Sequence, residues 1–217
     1  MKSVKSLVVP YLDGISRQSS HEKLLSAMDD VPDHNVEEVS WPAFPYRPHV
    51  RFKLAHASDC LLLSYLVREK HVRAFYTNTN DPVYKDSCVE FFLSFDTRHY
   101  YNLEFNCAGT GLIGYGDSDL EKRRRLPKEL IETVKAIPSV PVKEALTAEM
   151  RWGLLLVIPF SVFDTHAITG FGGMRCTGNF YKCGDELPIP HFLSWNRIDH
   201  PTPNFHLPQF FGDLVFQ

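Results

Sequence analysis

Apolar and polar residues alternate along several stretches of the chain, and this alternation is the main structural signal. Residues 50–56 (VRFKLAH) are apolar at every second position, whereas residues 60–67 (CLLLSYLV) are almost continuously apolar. A period of two predicts a strand with one exposed face, and a continuous apolar run of this length predicts a buried strand. Residues 71–76 (HVRAFY) are predicted to add a third strand, so that the three form a meander.

Similar patterns recur to the end of the chain. Helical signals are limited to a capping-box pattern, Ser19-x-x-Glu22, and to a short apolar stripe after Pro127 that extends to residue 136. Roughly ten to twelve strands with two short helices predict an all-β fold, a two-sheet antiparallel β-sandwich. Further strands are predicted at residues 5–12, around Glu90, at residues 100–108, 139–146, 151–160 and 174–183, and in the tail that ends near Phe216.

The chain is predicted to form one domain over residues 1–217, since this length suits a single hydrophobic core. Residues 1–36 are interpreted as a decoration at the start of the sandwich. Residues 117–137, where the composition becomes strongly charged, are interpreted as a helical insertion. No internal repeat and no second domain boundary is visible in the sequence.

Charge and composition exclude several classes of protein. A formal net charge of -3 leaves no basic footprint for nucleic acid. No apolar run approaches the ~20 residues that span a bilayer, and the first apolar run is broken at Pro10, so neither a membrane anchor nor a secretion signal is predicted. Five cysteines without a Cys-x-x-Cys motif favour free thiols and a reducing, cytoplasmic compartment. The oligomeric state stays open.

Some motifs suggest chemistry that their context does not support. Residues 109–114 (GTGLIG) match G-x-G-x-x-G, but a turn follows where a dinucleotide site needs a helix, so a hairpin is predicted. The ten histidines show no spacing typical of zinc ligands, and no metal site is predicted from them. Cys183 and His191 lack any local signature of a nucleophilic dyad, and no catalytic residue is predicted.

Polar and aromatic residues concentrate in residues 175–195, a stretch too rich in glycine and proline for a helix. It predicts either a ligand-binding edge or a buried strand followed by a surface loop. Glu90 stands in an apolar strand, where a carboxylate needs a partner or an exposed face. Asn102, Glu104 and Asn106 share one face of another strand, which is expected to meet solvent or a polar ligand.

Four segments of the chain form recognisable motifs: residues 78–90 (NTNDPVYKDSCVE), residues 101–106 (YNLEFN), the strand from Trp152 to Phe160, and residues 178–195 (GNFYKCGDELPIPHFLSW). Together they resemble the family 9 carbohydrate-binding modules. The resemblance covers about residues 41–216 and implies an immunoglobulin-like sandwich of the DOMON type that binds small sugars or glycan ends without catalysis, with a role in polysaccharide utilisation. It also implies that structural calcium is possible and that no other cofactor is needed.

The resemblance also implies roles for individual residues. Tyr84 and Trp195 correspond to two aromatic rings that enclose a sugar ring, although the family has tryptophan where this chain has Tyr84. Glu90, Asn179 and Arg175 correspond to hydrogen-bonding partners of the sugar. The smaller tyrosine ring with its hydroxyl is expected to alter ligand choice.

Two other functions stay open at this point. The first is a glycoside hydrolase on the same sandwich, which needs two carboxylates across one bond, Glu90 with Asp86 or Glu104. The second is a structural or partner-binding sandwich, which is favoured if Tyr84 and Trp195 are buried in the core.

Overall fold

Two β-sheets pack face to face in the computed structural model, which describes residues 4–143 and 149–217. The all-β sandwich predicted from the sequence is therefore confirmed. The helices are α1 (His21–Ala27) and α2 (Lys128–Ile131), and single 3₁₀ turns occur at Val83–Lys85, Leu120–Lys122, Phe160–Val162 and Pro208–Phe210. The strands are β1 (Ser6–Val9), β2 (His34–Asn35), β3 (Glu38–Val39), β4 (His49–His56), β5 (Cys60–Glu69), β6 (Cys88–Ser94), β7 (Tyr100–Asn106), β8 (Gly111–Gly116), β9 (Arg124–Arg125), β10 (Lys135–Pro138), β11 (Val142–Lys143), β12 (Met150–Pro159), β13 (Arg175–Cys183), β14 (Phe192–Ser194) and β15 (Gly212–Phe216).

The strands divide into sheet A and sheet B. Sheet A has the order β1-β15-β13-β6-β7-β8-β9, and β14 and β3 continue it beside β13. Sheet B has the order β10-β12-β5-β4-β2, with β11 also paired to β12. Strands β6, β7 and β13 lie in the interior of sheet A and are antiparallel to their neighbours in this group. Residues on these three strands are therefore held on both sides by backbone hydrogen bonds.

Alternation along the strands sorts the apolar side chains into three layers. Phe91 and Leu103 of sheet A pack against Leu63 of sheet B in the core between the sheets. Phe92 and Tyr181 point to the opposite face of sheet A, called the outer face here, where loops cover a second aromatic cluster. Helix α1 covers the outer face of sheet B in the same way. Strands β6 and β7, whose residues are all buried, thus have one side in the main core and the other covered on the outer face.

A fully buried polar network joins the two sheets at the end of β13. The ammonium of Lys182 lies 3.0 Å from Oε2 of Glu69 and 2.9 Å from Nε2 of His191. It also donates to the carbonyl of Cys183 at 2.8 Å, and the indole of Trp152 donates to Oε1 of Glu69 at 2.7 Å. Because a buried charge is costly unless it is paired, this network makes both charged side chains compatible with the core.

Strand β1 lies at the edge of sheet A, parallel to β15, with Ser6 opposite Asp213 and Val9 opposite Phe216. The amide of Gln217 also donates to the carbonyl of Val9 at 3.0 Å. The strand predicted at residues 5–12 is therefore present as an edge strand of the sandwich.

The two helices begin and end at other residues than predicted. The cap of α1 is Ser20, whose hydroxyl accepts from the amide of Lys23, one residue after the predicted Ser19. Helix α2 begins after Pro127 but ends at Ile131, because residues 135–138 pair with β12. Pairing with an existing strand therefore prevails over a weak helical stripe.

The predicted strand at residues 71–76 is wrong. These residues form an extended connection from sheet B to sheet A, and Phe75 is 70% exposed. Two hydrogen bonds between Ser87 and Arg73 hold this connection. The amide of Ser87 donates to the carbonyl of Arg73, and the amide of Arg73 donates to the hydroxyl of Ser87. Residues 71–76 thus alternate in polarity but pair with no strand of the described chain.

Three remaining predictions concern single segments. The predicted strand at residues 139–146 is represented by β11, and its last residues lie outside the described residues. All five cysteines are buried and free. No described helix has the length and apolar character needed to cross a membrane.

Candidate functional site

A cavity of about 580 Å³ lies on the outer face of sheet A. Its floor is formed by β6, β7, β8 and the end of β13, and residues 202–206 form one wall. The lining combines acidic, basic and aromatic side chains, which are Tyr84, Glu90, Asn102, Glu104, Arg123, Arg124, Arg125, Asp185, Phe192, Asn204, Phe205 and His206. Such a combination suits a polar ligand with some apolar surface.

Two carboxylates stand side by side on the floor of this cavity. Glu90 on β6 is directly opposite Glu104 on β7, and their side chains are 3% and 5% exposed. Side chains at directly opposite positions of an antiparallel pair lie on the same face at close range. Two buried acids at such positions repel each other when both are ionised, so the site holds at least one proton or needs a compensating ligand.

Arg123 fixes the orientation of one of these carboxylates through Asn102. The guanidinium of Arg123 donates to the side-chain oxygen of Asn102 and to the carbonyl of Tyr100, and it lies 4.0 Å from the centre of the Tyr100 ring. The amide nitrogen of Asn102 then donates to Oε1 of Glu104 at 2.8 Å. Oε2 of Glu104 is buried without a hydrogen-bond partner among the described residues. This oxygen is therefore available to accept a hydrogen bond from a ligand.

Burial controls the protonation of both acids. The pKa of Glu90 is raised well above its ordinary value by burial and by the charge of Glu104, although the Cys183 thiol donates to Glu90 at 3.0 Å. Burial raises the pKa of Glu104 to about 7, while the hydrogen bond from Asn102 and the charge of Arg125 act in the opposite direction. Near neutral pH, Glu104 is thus the acid of the pair that changes its charge.

Replacing Glu104 by glutamine is expected to change the pH dependence of stability. Burial raises the pKa of Glu104 in the folded protein from 4.5 to about 7, so the folded protein keeps this proton where the unfolded chain has released it. The resulting stability is present below pH 4.5 and is lost as the pH rises through about 7. We expect the wild type to lose more stability over this interval than Glu104→Gln, measured by chemical denaturation at several pH values.

The control for this prediction is Glu132→Gln, because Glu132 is exposed near the end of α2. This variant should keep the pH profile of the wild type. Equal pH profiles for Glu104→Gln and the wild type would show that Glu104 titrates alike in the folded and unfolded states.

Aromatic side chains border the cavity above the acids. Tyr84 belongs to the 3₁₀ turn Val83–Lys85 and is partly exposed, and Phe192 on β14 is also partly exposed. Phe205, in the loop that forms the wall, is 9% exposed and stacks on Tyr181 with 4.2 Å between ring centres. Flat apolar rings beside buried carboxylates provide both kinds of contact that a sugar uses.

Of the five residues predicted from the sequence, Tyr84 and Glu90 line the cavity, and the other three lie elsewhere. Trp195 is 3% exposed in the core between the sheets, with its ring 5.6 Å from that of Phe180. Arg175 is exposed at the start of β13, at the opposite end of that strand from the cavity.

Asn179 lies on the outer face of sheet A, but it is fully buried and its side chain is hydrogen-bonded within the protein. Its amide nitrogen donates to the carbonyls of Asn196 and Phe210, and its oxygen accepts from the amides of Phe180 and Asn196. The side chain therefore secures the loop after β14, and no free donor or acceptor remains for a ligand.

The direction of Trp195 follows from the alternation along β14. Leu193 and Trp195 point into the core, whereas Phe192 points to the outer face. Phe192 is thus the aromatic residue of this segment that borders the cavity. The sequence shows this alternation, but it does not show which of the two sets faces the ligand.

Two other cavity residues, Glu104 and Arg123, were not among the five predicted ligand contacts. Glu104 was predicted on the polar face of its strand and as a possible partner acid, and the structure places it next to Glu90. Within the charged segment 117–137, Arg123 is held between the Tyr100 ring and Asn102. The turn at Gly116, whose carbonyl accepts a hydrogen bond from Arg123, is the sequence signal that could have indicated this position of Arg123.

Asp86 does not reach this cavity, which bears on the hydrolase alternative. Its carboxylate is fully buried, pairs with Arg73 at 3.2 Å and accepts from the amide of Tyr76 and the side chain of Asn106. Of the two acid pairs considered from the sequence, only Glu90 with Glu104 shares one cavity. Both acids rise from the same floor, on neighbouring strands.

The side chains of the described residues do not fit a calcium ion. Calcium takes six to eight oxygen ligands, among which carboxylates are prominent. No group of three acidic side chains with closely spaced oxygens occurs within residues 4–143 and 149–217. No role for calcium is therefore derived from them.

Comparison with solved structures identifies relatives of the same fold. A candidate carbohydrate-binding protein from Bacteroides uniformis ATCC 8492 is 39% identical, with a TM-score of 0.90 over 99% of this chain and 100% of that one. A family 9 carbohydrate-binding module from Caldicellulosiruptor kristjanssonii in complex with cellotriose is 14% identical, with a TM-score of 0.61 over 98% and 94% of the two chains. The same description with glucose as ligand applies to a structure that is 12% identical, with a TM-score of 0.57 over 98% and 96%.

Sequence comparison gives the family directly. No curated protein matches the chain significantly. The sequence model of carbohydrate-binding family 9 matches residues 20–216, which is most of the chain. This match agrees with the two-sheet sandwich described above, and the chain therefore belongs to carbohydrate-binding family 9.

Proposed function

We propose that this protein binds a small sugar or the end of a glycan in the cavity on the outer face of sheet A. The observation that carries the proposal is the buried Oε2 of Glu104, which has no partner among the described residues and lies beside Glu90. A sugar hydroxyl donates hydrogen bonds, and a bond to a carboxylate is stronger than one between neutral groups. An unsatisfied buried acceptor is costly, so a hydroxyl placed there gains affinity.

Aromatic side chains supply the second part of the proposed interaction. Tyr84 and Phe192 border the cavity with partly exposed rings. The flat C–H face of a pyranose ring packs against such rings while its hydroxyl rim reaches polar groups. The cavity volume of about 580 Å³ lies within the roughly 300–1,000 Å³ typical of small-molecule sites.

Relatives guide the choice of ligands for a test. The modules from Caldicellulosiruptor kristjanssonii were solved with cellotriose and with glucose. We therefore propose β-linked glucose oligomers and their monomer as the first probes, with xylose and galactose oligomers as comparisons. By the same reasoning, a role in polysaccharide utilisation is part of the proposal.

Calorimetry with these sugars tests the proposal, and Tyr84→Ala tests its location. We expect this variant to bind roughly 2- to 10-fold more weakly, because an aromatic contact contributes about 0.5–1.5 kcal/mol beyond area burial. The matched control is Tyr11→Ala, because Tyr11 is 46% exposed and does not line the cavity. Unchanged affinity in Tyr84→Ala would place the ligand elsewhere, and no binding to any sugar would contradict the function.

The same samples also test the hydrolase alternative. Glu90 and Glu104 are the acid pair that shares the cavity, so an activity that uses both would release shorter sugars from the oligosaccharides during incubation. Sugar release that is lost in both Glu90→Gln and Glu104→Gln would replace binding by hydrolysis as the function. Intact oligosaccharides together with measurable binding would support a non-catalytic module.

A further inference from the structure

We propose that Cys88, Glu90 and Cys183 form a site for a thiophilic divalent cation, zinc above all, at the floor of the cavity. One ligand atom of each residue, the two sulfurs and a carboxylate oxygen, lies within 4.8 Å of the others. All three side chains are buried. This inference concerns a metal site, and it shares one observation with the proposed function, the buried Oε2 of Glu104.

Strand pairing creates this cluster. Cys183 on β13 is directly opposite Cys88 on β6, and Glu90 follows two residues later on β6. All three side chains therefore point to the outer face of sheet A. The sulfur of Cys183 already lies 3.0 Å from Oε1 of Glu90. With Zn–S and Zn–O bonds of about 2.3 and 2.0–2.2 Å, neighbouring sulfur and oxygen ligands of a tetrahedral zinc ion lie about 3.6 Å apart, so these two atoms need to separate by only about 0.6 Å to hold the ion.

The chemistry of the donors selects the metal. Thiolates are soft ligands that favour zinc and related ions, whereas calcium and magnesium require oxygen ligands. Two cysteines and one glutamate are three protein ligands, which is the number found in zinc sites that keep one position open. Glu90 and Cys183 both line the cavity, so the open position faces it.

A second observation points independently to a bound group at this place. Oε2 of Glu104 is buried, has no partner among the described residues, and belongs to the residue directly opposite Glu90. A water or hydroxyl on the fourth position of the metal would donate a hydrogen bond to this oxygen. Outer partners of this kind orient the groups bound to a metal.

The residues behind the cluster limit its charge. Two thiolates and one carboxylate bring three negative charges to a divalent ion, which leaves one negative charge in excess. The buried ammonium of Lys182, next to Cys183 in the chain, lies on the other side of β13 and donates to the carbonyl of Cys183 at 2.8 Å. Because this ammonium is also paired with Glu69, it offsets only part of the excess negative charge.

Titration of the metal-free wild-type protein with Co²⁺ and then Zn²⁺ tests this site, with a phosphine reductant that keeps the thiols from pairing. We expect one Co²⁺ per chain, with the charge-transfer absorption of cobalt–thiolate bonds, and its loss when Zn²⁺ displaces the cobalt. Absence of this absorption in the wild type under excess Co²⁺ would overturn the proposal, whatever the variants do.

Variants assign the ligands. Cys88→Ala and Cys183→Ala should lose the absorption. Glu90→Gln should bind Co²⁺ at least roughly 10–100-fold more weakly, which is the loss that follows removal of an outer partner. The control is Cys176→Ala, a buried cysteine on the same strand outside the cluster, which should bind as the wild type does. Circular dichroism confirms that each variant is folded, and cobalt–thiolate absorption that persists in folded Cys183→Ala would also overturn the proposal.

Discussion

Replacing Lys182 by methionine is expected to destabilise the protein by about 3–5 kcal/mol, because it leaves the buried carboxylate of Glu69 without its ion-pair partner. The carboxylate would keep the hydrogen bond from Trp152 at Oε1, but Oε2 would face the core with no counter-charge. In the wild type, His191 does not supply this counter-charge. Burial and the charge of Lys182 lower the pKa of His191 to about 3, so the ring is neutral and its Nε2 accepts from the ammonium.

Chemical denaturation of the wild type and Lys182→Met measures this effect. The control is Lys128→Met, which removes a lysine that is 61% exposed and pairs with Glu132 on the surface of α2, and it should change stability by no more than about 0.5 kcal/mol. The double variant Glu69→Gln with Lys182→Met should recover most of the loss, because no buried charge remains. A loss below about 1 kcal/mol in the single variant would show that water or a rearrangement replaces the ammonium.

Replacing Trp195 by alanine is expected to reduce stability by about 3–5 kcal/mol, as other large-to-small changes of buried tryptophan do. The ring is 3% exposed and meets the rings of Phe52 and Phe180 edge-on at 6.2 and 5.6 Å. Gly212 passes so close that an added Cβ would lie 2.4 Å from the indole. Strand β15 therefore packs directly against this ring, and removal of the ring leaves a cavity in the core.

This prediction separates a core role for Trp195 from the ligand contact implied by the family resemblance. A core role predicts that Trp195→Ala lowers the denaturation midpoint while sugar affinity per folded molecule stays close to that of the wild type. Phe75→Ala is the matched control, because Phe75 is an aromatic residue that is 70% exposed, and its loss should leave stability nearly unchanged. Unchanged stability with lost sugar binding in Trp195→Ala would instead place this ring against the ligand.

The fold could be predicted from the sequence because apolar and polar residues alternate clearly along several of its strands. Residues 50–56 and 60–67 became β4 and β5, and the strand predicted at residues 174–183 became β13. The prediction failed at residues 71–76, where apolar and polar residues also alternate but the segment pairs with no described strand. Alternation reports which side of an extended segment is covered, and a loop can cover it as well as a sheet.

The site was less predictable because it depends on register and on direction. Glu90 was identified from the cost of an acid among apolar residues, which is a local signal. Its position opposite Glu104, and that of Cys88 opposite Cys183, arise from pairing between strands that the sequence does not specify. The direction of Trp195 depends on which side of the three-residue strand β14 meets the core. If the alternation were shifted by one residue, Trp195 would face the cavity and Phe192 would face the core.

The parallel pairing of β1 with β15 has a consequence for the order of folding during synthesis. Of the described strands, β1 is synthesised first, but its partner β15 is synthesised only after all the others. Until then, Leu7 and Val9, which are 2% and 0% exposed in the finished fold, have no strand beside them, and one edge of β13 stays open. Unpaired strand edges and exposed apolar residues favour aggregation of nascent chains. Closure of this edge is therefore a late event, and β1 stays unpaired until β15 emerges.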